Sequence, residues 1–179
     1  EINRIFSVAQ KAKTVDDIEP VMVGLNAINM LNAKYLIFNP GIPPLANINA
    51  LGNVWFAEAP LIVSNPNEEL SMINKFNPEK QAVIDIRFKD QITKTSYPAE
   101  AGDKIELTSY KPNELIYNYT AQSERLVIFS EIYYPAGWKA YIDGAEKSYF
   151  RTNYVLRGMV VTGGTHVIKF ELHPSSYYV

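Results

Sequence analysis

Between Leu126 and Pro174 the chain reads LVIFSEIYYPAGWKAYIDGAEKSYFRTNYVLRGMVVTGGTHVIKFELHP, and no other stretch restricts the fold as strongly. Trp138, Ala140 and Ile142 alternate with Lys139, Tyr141 and Asp143 up to the dipeptide Asp143-Gly144. A period-two run ending in a strong turn pair marks the first arm of a hairpin, so a return strand is expected after it. Tyr154 to Val161 and His166 to Leu172 supply two more runs, separated by Thr162-Gly163-Gly164. Glycines there reach the positive φ angles of a tight reversal. The expectation is a β-meander with Val127, Phe129, Ile168 and Phe170 in its core.

Upstream, Lys104 to Tyr110, Glu114 to Ala121 and Arg125 to Ile132 add strands at short, even spacing. Six or seven such strands with little helix predict an antiparallel β-sandwich or jelly roll. The first half is different in kind. Ile2, Ile5, Phe6, Ala9 and Ala12 fall at helical spacing, and Pro20 opens a second helical pattern carrying Val21, Leu25, Ile28 and Leu31 before Asn32. Strands are expected at Lys34 to Phe38, Val54 to Ala57 and Leu61 to Val63, and over Gln81 to Phe88. Asn65-Pro66-Asn67-Glu68 marks the start of a helix with Leu70, Ile73 and Phe76 as its buried stripe. Lys89 to Ser96 reads as a polar linker. The predicted class is therefore mainly β within α+β: a smaller α/β segment over residues 1–91, then a β-sandwich domain over 92–179.

Several function classes fall away on composition. The 179 residues are 47% hydrophobic and 20% charged, ordinary for a globular chain, and the longest apolar runs are far below the ~20 residues of a membrane span. A formal charge of −2 without a Lys/Arg block gives nucleic acid no purchase. Zero cysteines removes disulfide and thiolate chemistry. The start, Glu-Ile-Asn-Arg, has neither an initiator Met nor a signal segment, and the expectation is a piece of a longer protein.

Metal and cofactor frames are missing: His166 and His173 sit in no HxH or HExxH pattern, and no P-loop, GxGxxG or GxSxG occurs. Glu131 and Asp143 are the best pair of carboxylates for a glycoside hydrolase, but nothing sets their separation, and Asp143 is explained as a turn former. The reading is no catalytic residue, no metal and no cofactor. The aromatic group Tyr133, Tyr134, Trp138, Tyr141, Tyr149, Phe150 and Tyr154 crowds two hairpin strands, where alternation prevents all of them from facing one core. Exposed rings from Tyr133, Tyr134, Trp138 and Tyr154, beside Arg151 and Asn153, would stack on sugars and bond their hydroxyls, or lie at a membrane interface; cross-strand pairing that steadies the sheet is the plainer account.

YYPAGWKAYIDG, then RTNYVLRGMVV, then GGTHVIKFELHP resemble the end of the soluble segment of the YfhO family of bacterial polytopic membrane proteins, and MLNAKYLIF and NALGNVWFAEAPLIV resemble upstream pieces in the same order. The resemblance implies a non-catalytic, extracytoplasmic domain, periplasmic or on the outer face of the cytoplasmic membrane, of a protein similar to lipid-linked-sugar glycosyltransferases. Its implied partner is the transmembrane part of the same polypeptide, and together with the aromatic group it points to a glycan or lipid-linked sugar as a further partner. A free carbohydrate-binding module and a glycoside hydrolase are the alternatives.

Overall fold

The computed structural model describes residues 24–37 and 43–173, together with Asn3 and Ser7. The helix expected over residues 2–12 and the beginning of the second one lie outside this range, apart from those two isolated positions. In chain order the elements are α1 (Asn26–Met30), β1 (Tyr35–Leu36), β2 (Leu45–Ala46), β3 (Val54–Ala57), β4 (Ala59–Val63), α2 (Pro66–Met72) and β5 (Gln81–Asp85). A 3-10 helix (Ile86–Gln91) follows, then β6 (Lys104–Lys111), β7 (Glu114–Ala121), β8 (Arg125–Ile132), β9 (Trp138–Ile142), β10 (Ala145–Lys147), β11 (Phe150–Thr152), β12 (Leu156–Val161) and β13 (Gly164–Leu172). The class is α+β, dominated by antiparallel sheet.

Two sheets carry the architecture, one of five strands in the order β10-β9-β13-β7-β6 and one of four in the order β11-β12-β8-β3. Every pairing within them is antiparallel. The hairpin expected at Asp143-Gly144 is present: Ile142 faces Ala145, and both turn residues have positive φ, 50° and 85°, the twist that suits a two-residue hairpin turn. The meander is not. β12 and β13 do not pair across Thr162-Gly163; the chain leaves β12 in the four-stranded sheet and enters β13 between β9 and β7 in the other. The glycines turn the chain between sheets, and a Cβ on Gly163 would lie 3.0 Å from the Gln122 carbonyl oxygen.

The inner faces of the two sheets meet in one core. Leu115, Tyr117 and Tyr119 from β7, Val127 and Phe129 from β8, Ala140 from β9, Met159 and Val161 from β12, and Ile168 and Phe170 from β13 pack together there. The four residues expected in this core are all fully buried. The other face of the four-stranded sheet is covered as well: Leu126, Ile128 and Leu156 join Met30, Ala57, Val63, Phe76, Ala82, Val83, Ile84 and Phe150 in a second core. This accounts for the uninterrupted run Leu126-Val127-Ile128-Phe129, in which successive side chains serve opposite cores. Each fully buried side chain of this size contributes about 1.5–3 kcal/mol.

The first half differs from expectation at three places. Leu70 is 51% exposed while Glu69 is completely buried, so α2 turns Glu69 inward rather than Leu70, and Phe76, beyond the end of the helix, fills the core instead. Its start is as expected: Asn65 accepts from the Glu68 amide at 3.0 Å and Pro66 opens the helix. The strand over Gln81 to Phe88 ends at Asp85, whose carboxylate accepts from the Arg87 amide at 2.9 Å and starts the 3-10 helix. The polar stretch after Lys89 is tied down by Tyr97, fully buried, whose hydroxyl accepts from the amides of Thr93 and Lys94. Asn32 ends α1 in the left-handed region at φ 54°, as a residue after a helix C-cap commonly does.

Candidate functional site

An aromatic cleft of about 310 Å³ opens where β9, β10 and the end of β8 meet, with Tyr133, Trp138 and Tyr149 in its wall and Lys139, Glu146 and Ser148 at its polar side. Tyr133 and Tyr149 meet edge to face with centroids 5.5 Å apart, Tyr133 also meets Phe88 at 6.0 Å, and Tyr149 rests against the core ring of Phe170 at 5.3 Å. Such packing fixes ring orientation before any ligand arrives. Lys139 and Glu146 face each other across the hairpin at 3.1 Å. Tyr134 stands outside the cleft wall, 59% exposed.

The other three candidates turn elsewhere. Main chains meet, since the Tyr133 amide donates to the Val155 carbonyl at 2.7 Å, but the side chains of Arg151 and Asn153 reach toward α2 and β5. Arg151 donates to Glu69 at 2.6 Å and to the Tyr154 carbonyl at 2.9 Å. Asn153, buried, accepts from the Val83 amide at 2.8 Å. Tyr154 has φ 73°, an unusual backbone for a bulky residue, and its amide donates to Glu69 at 2.7 Å. Asp85 holds Arg87 bidentately at 2.9 Å and lies 3.6 Å from Arg151. Burial holds the Glu69 carboxyl above its usual range, against the Tyr154 amide and Arg151; the Arg87 hydrogen bonds hold Asp85 below its own.

Arg157 was not singled out by the sequence, although a lone charge inside VLRGMVV was a visible signal. A register irregularity between β12 and β8 sets Leu156 opposite Ile132 but Arg157 opposite Phe129, leaving Ser130 and Glu131 as extra residues. Bulges of this kind re-aim side chains. Arg157 is 3% exposed, with its guanidinium 4.5 Å from the Trp138 ring and 5.0 Å from the Phe170 ring. Burial pushes its pKa down and pushes that of neighbouring Glu131 up.

Asp143, the other carboxylate of the candidate hydrolase pair, is engaged by different partners. It takes the Val167 amide at 3.0 Å and the Nδ1 of His166 at 2.5 Å, and the remaining ring nitrogen of His166 lies 3.3 Å from the Gly163 carbonyl. Two acceptors suit a doubly protonated imidazolium, which staples the β9–β10 turn to the start of β13. Asp143 raises the His166 pKa above 6.5, and the Val167 amide and His166 lower that of Asp143 below 3.8. A raised histidine value adds stability that is complete below about 6.5 and is lost as pH rises through the folded value; a lowered aspartate value adds stability that is lost as pH falls through its folded value. Asp143→Asn, which keeps a turn-compatible residue, is therefore expected to destabilise more at pH 5.5 than at pH 9. Urea denaturation at both values checks this, and an equal cost at the two would show that His166 is not charged in the fold.

The model of a family described as Bacterial membrane protein YfhO matches residues 85–179, from the last residue of β5 through the whole aromatic cleft. The chain belongs to the YfhO family. MLNAKYLIF and NALGNVWFAEAPLIV both precede Asp85 and lie outside the matched residues. No curated protein and no solved structure matches the chain. Among the described residues of this YfhO chain, no helix is long and apolar enough to cross a membrane. Within the YfhO match fall Tyr133, Trp138, Tyr149, Arg151 and Arg157, whereas Glu69, the buried partner of Arg151, precedes it.

Proposed function

We propose that this is a non-catalytic, extracytoplasmic domain of a polytopic membrane protein similar to GT-C-like, lipid-linked-sugar glycosyltransferases, and that its aromatic cleft makes accessory contact with a glycan or lipid-linked sugar. The observation that carries this reading is the joint placement of Tyr133, Trp138 and Tyr149 around an open cleft beside Lys139, Glu146 and Ser148. Flat rings cover the apolar faces of sugars, and a few convergent polar groups fix orientation. The partner on the membrane side is the transmembrane part of the same polypeptide. The two large sheets are taken as a β-sandwich of the broad kind that includes jelly rolls, carried by residues 92–179, with residues 1–91 as the α/β part that lends it β3. The different partners of Glu131 and Asp143 support a domain that supplies no catalytic pair.

The test uses the full-length protein in membranes. Trp138→Ala is expected to lower sugar transfer to the envelope polymer at least tenfold while circular dichroism shows an unchanged fold; Tyr134→Ala, outside the cleft wall, should leave it within twofold. Undiminished transfer in Trp138→Ala, with Tyr149→Ala equally silent, would remove the accessory role.

A further inference from the structure

Arg157 is a buried cation in an unusual position. Its Nε donates to the Ile132 carbonyl at 3.0 Å, its Nη1 is buried without a hydrogen-bond partner, and among the described residues no carboxylate lies within ion-pair distance of it. The ionisable groups around it are Glu131, Tyr149, Tyr117 and Tyr110. Tyr117, fully buried, has a hydroxyl that also lacks a partner, and burial keeps that phenol protonated. Two buried donors in one neighbourhood thus lack an acceptor. Leaving such groups unsatisfied costs about 1–3 kcal/mol each, more for a charge, so the complement to this place is an acceptor and, best of all, an anion.

Shape narrows the choice. The guanidinium is covered by Trp138 and by Phe170, and stacking on ring faces leaves the edge of the planar group as its route to a partner. Nε already serves Ile132, so the Nη edge remains. A planar carboxylate pairs with a guanidinium edge within the plane of the group, whereas a tetrahedral phosphate projects oxygens out of that plane, where Trp138 and Phe170 already lie. Trp138 lines the cleft and also covers Arg157, so the cleft and the guanidinium share this ring.

We infer that the cleft is specific for an acidic sugar, one whose carboxylate reaches Arg157 past the edge of Trp138 while the sugar ring lies against Trp138 and Tyr149. This rests on the cleft being the glycan contact. Glu131, the acidic neighbour, opposes an incoming carboxylate when ionised, and its replacement by a neutral residue removes that opposition.

Binding is measured by the fluorescence of Trp138 in a Trp55→Phe background, with a galacturonate trimer, the neutral galactose trimer and glucose 6-phosphate as probes. The acidic trimer is expected to bind at least tenfold more tightly than the neutral one. Arg157→Gln should reduce that preference to within twofold, Arg157→Lys should restore part of it, and Glu131→Gln should increase it severalfold at pH 7.5. If Arg157→Gln fails to fold, the Glu131→Gln arm decides alone: an unchanged preference counts against the inference. Equal binding of the two trimers would overturn the acidic-sugar assignment and leave the glycan cleft standing. Binding of the phosphate as tight as that of the acidic trimer would overturn the choice of carboxylate. Failure of all three probes to perturb Trp138 would sink both the inference and the cleft on which it rests.

Discussion

Phe170→Ala is expected to lower the free energy of unfolding by about 3–5 kcal/mol, the range for removing a fully buried ring whose cavity cannot collapse. Phe170 has no exposed surface. It sits on β13, held on both sides by β9 and β7, so the backbone around the lost ring is fixed by two ladders. Its contacts are edge-to-face: Phe129 at 5.0 Å, Tyr149 at 5.3 Å and Tyr117 at 6.2 Å. Each such pair adds about 0.5–1.5 kcal/mol beyond area burial. The Arg157 guanidinium, 5.0 Å from the same ring, would lose its apolar cover. Val167→Ala on the same strand supplies the control, because that side chain is 42% exposed and a surface change of this kind costs within about 0.5 kcal/mol. Urea denaturation of both variants makes the comparison. A cost for Phe170→Ala below about 1 kcal/mol would mean that the two sheets do not share this core in solution.

The importance of Phe170 was legible because a half-buried strand writes its burial as alternation, and β7, β9 and β13 do so. β8 was legible only as a strand. Its four consecutive apolar residues carry no period, and that two cores rather than one require them emerges only when β4, β5 and α2 are seen against its other face. The β12–β13 connection misled for a local reason: Gly163-Gly164 permits a tight turn, but turn chemistry says nothing about whether the arms pair with each other or with separate sheets. The aromatic cluster was legible as a surplus of rings over what one face can bury. Its partition was not, because the backbone at Asn153 and Tyr154, with φ of 48° and 73°, turns the Asn153 side chain toward β5 and α1 and the Tyr154 amide toward Glu69 of α2. Glu69 was invisible for a different cause. A glutamate in the first turn of a helix ordinarily serves the helix dipole from the surface, and only the arrival of Arg151, 82 residues later, makes burial of its charge tolerable.

That dependence gives the second large effect. Arg151→Met is expected to destabilise the protein by about 3–5 kcal/mol at pH 7.5, the cost of leaving a buried charge without its partner. Glu69 has two anchors, Arg151 Nη2 at 2.6 Å and the Tyr154 amide at 2.7 Å. Arg87 is committed to Asp85, so it does not replace Arg151. The pH dependence has a definite sign. Burial already holds the Glu69 pKa above 4.5, with Arg151 among the groups opposing that rise. Removing Arg151 raises it further. A carboxyl whose folded value exceeds its unfolded one binds more protons in the native state, so stability falls as pH rises between the two values. The cost of Arg151→Met should accordingly be smaller at pH 4.5 than at pH 7.5, and adding Glu69→Gln should recover much of the loss at the higher pH. The consequence reaches the cleft, because Arg151 and Tyr154 hold the β11–β12 hairpin whose neighbours are Tyr149 and Arg157. The same variant should therefore broaden the Trp138 fluorescence band even where the fold survives. A loss that is the same at both pH values, and indifferent to Glu69→Gln, would show that Arg151 acts through packing of its stem and not through the buried carboxylate.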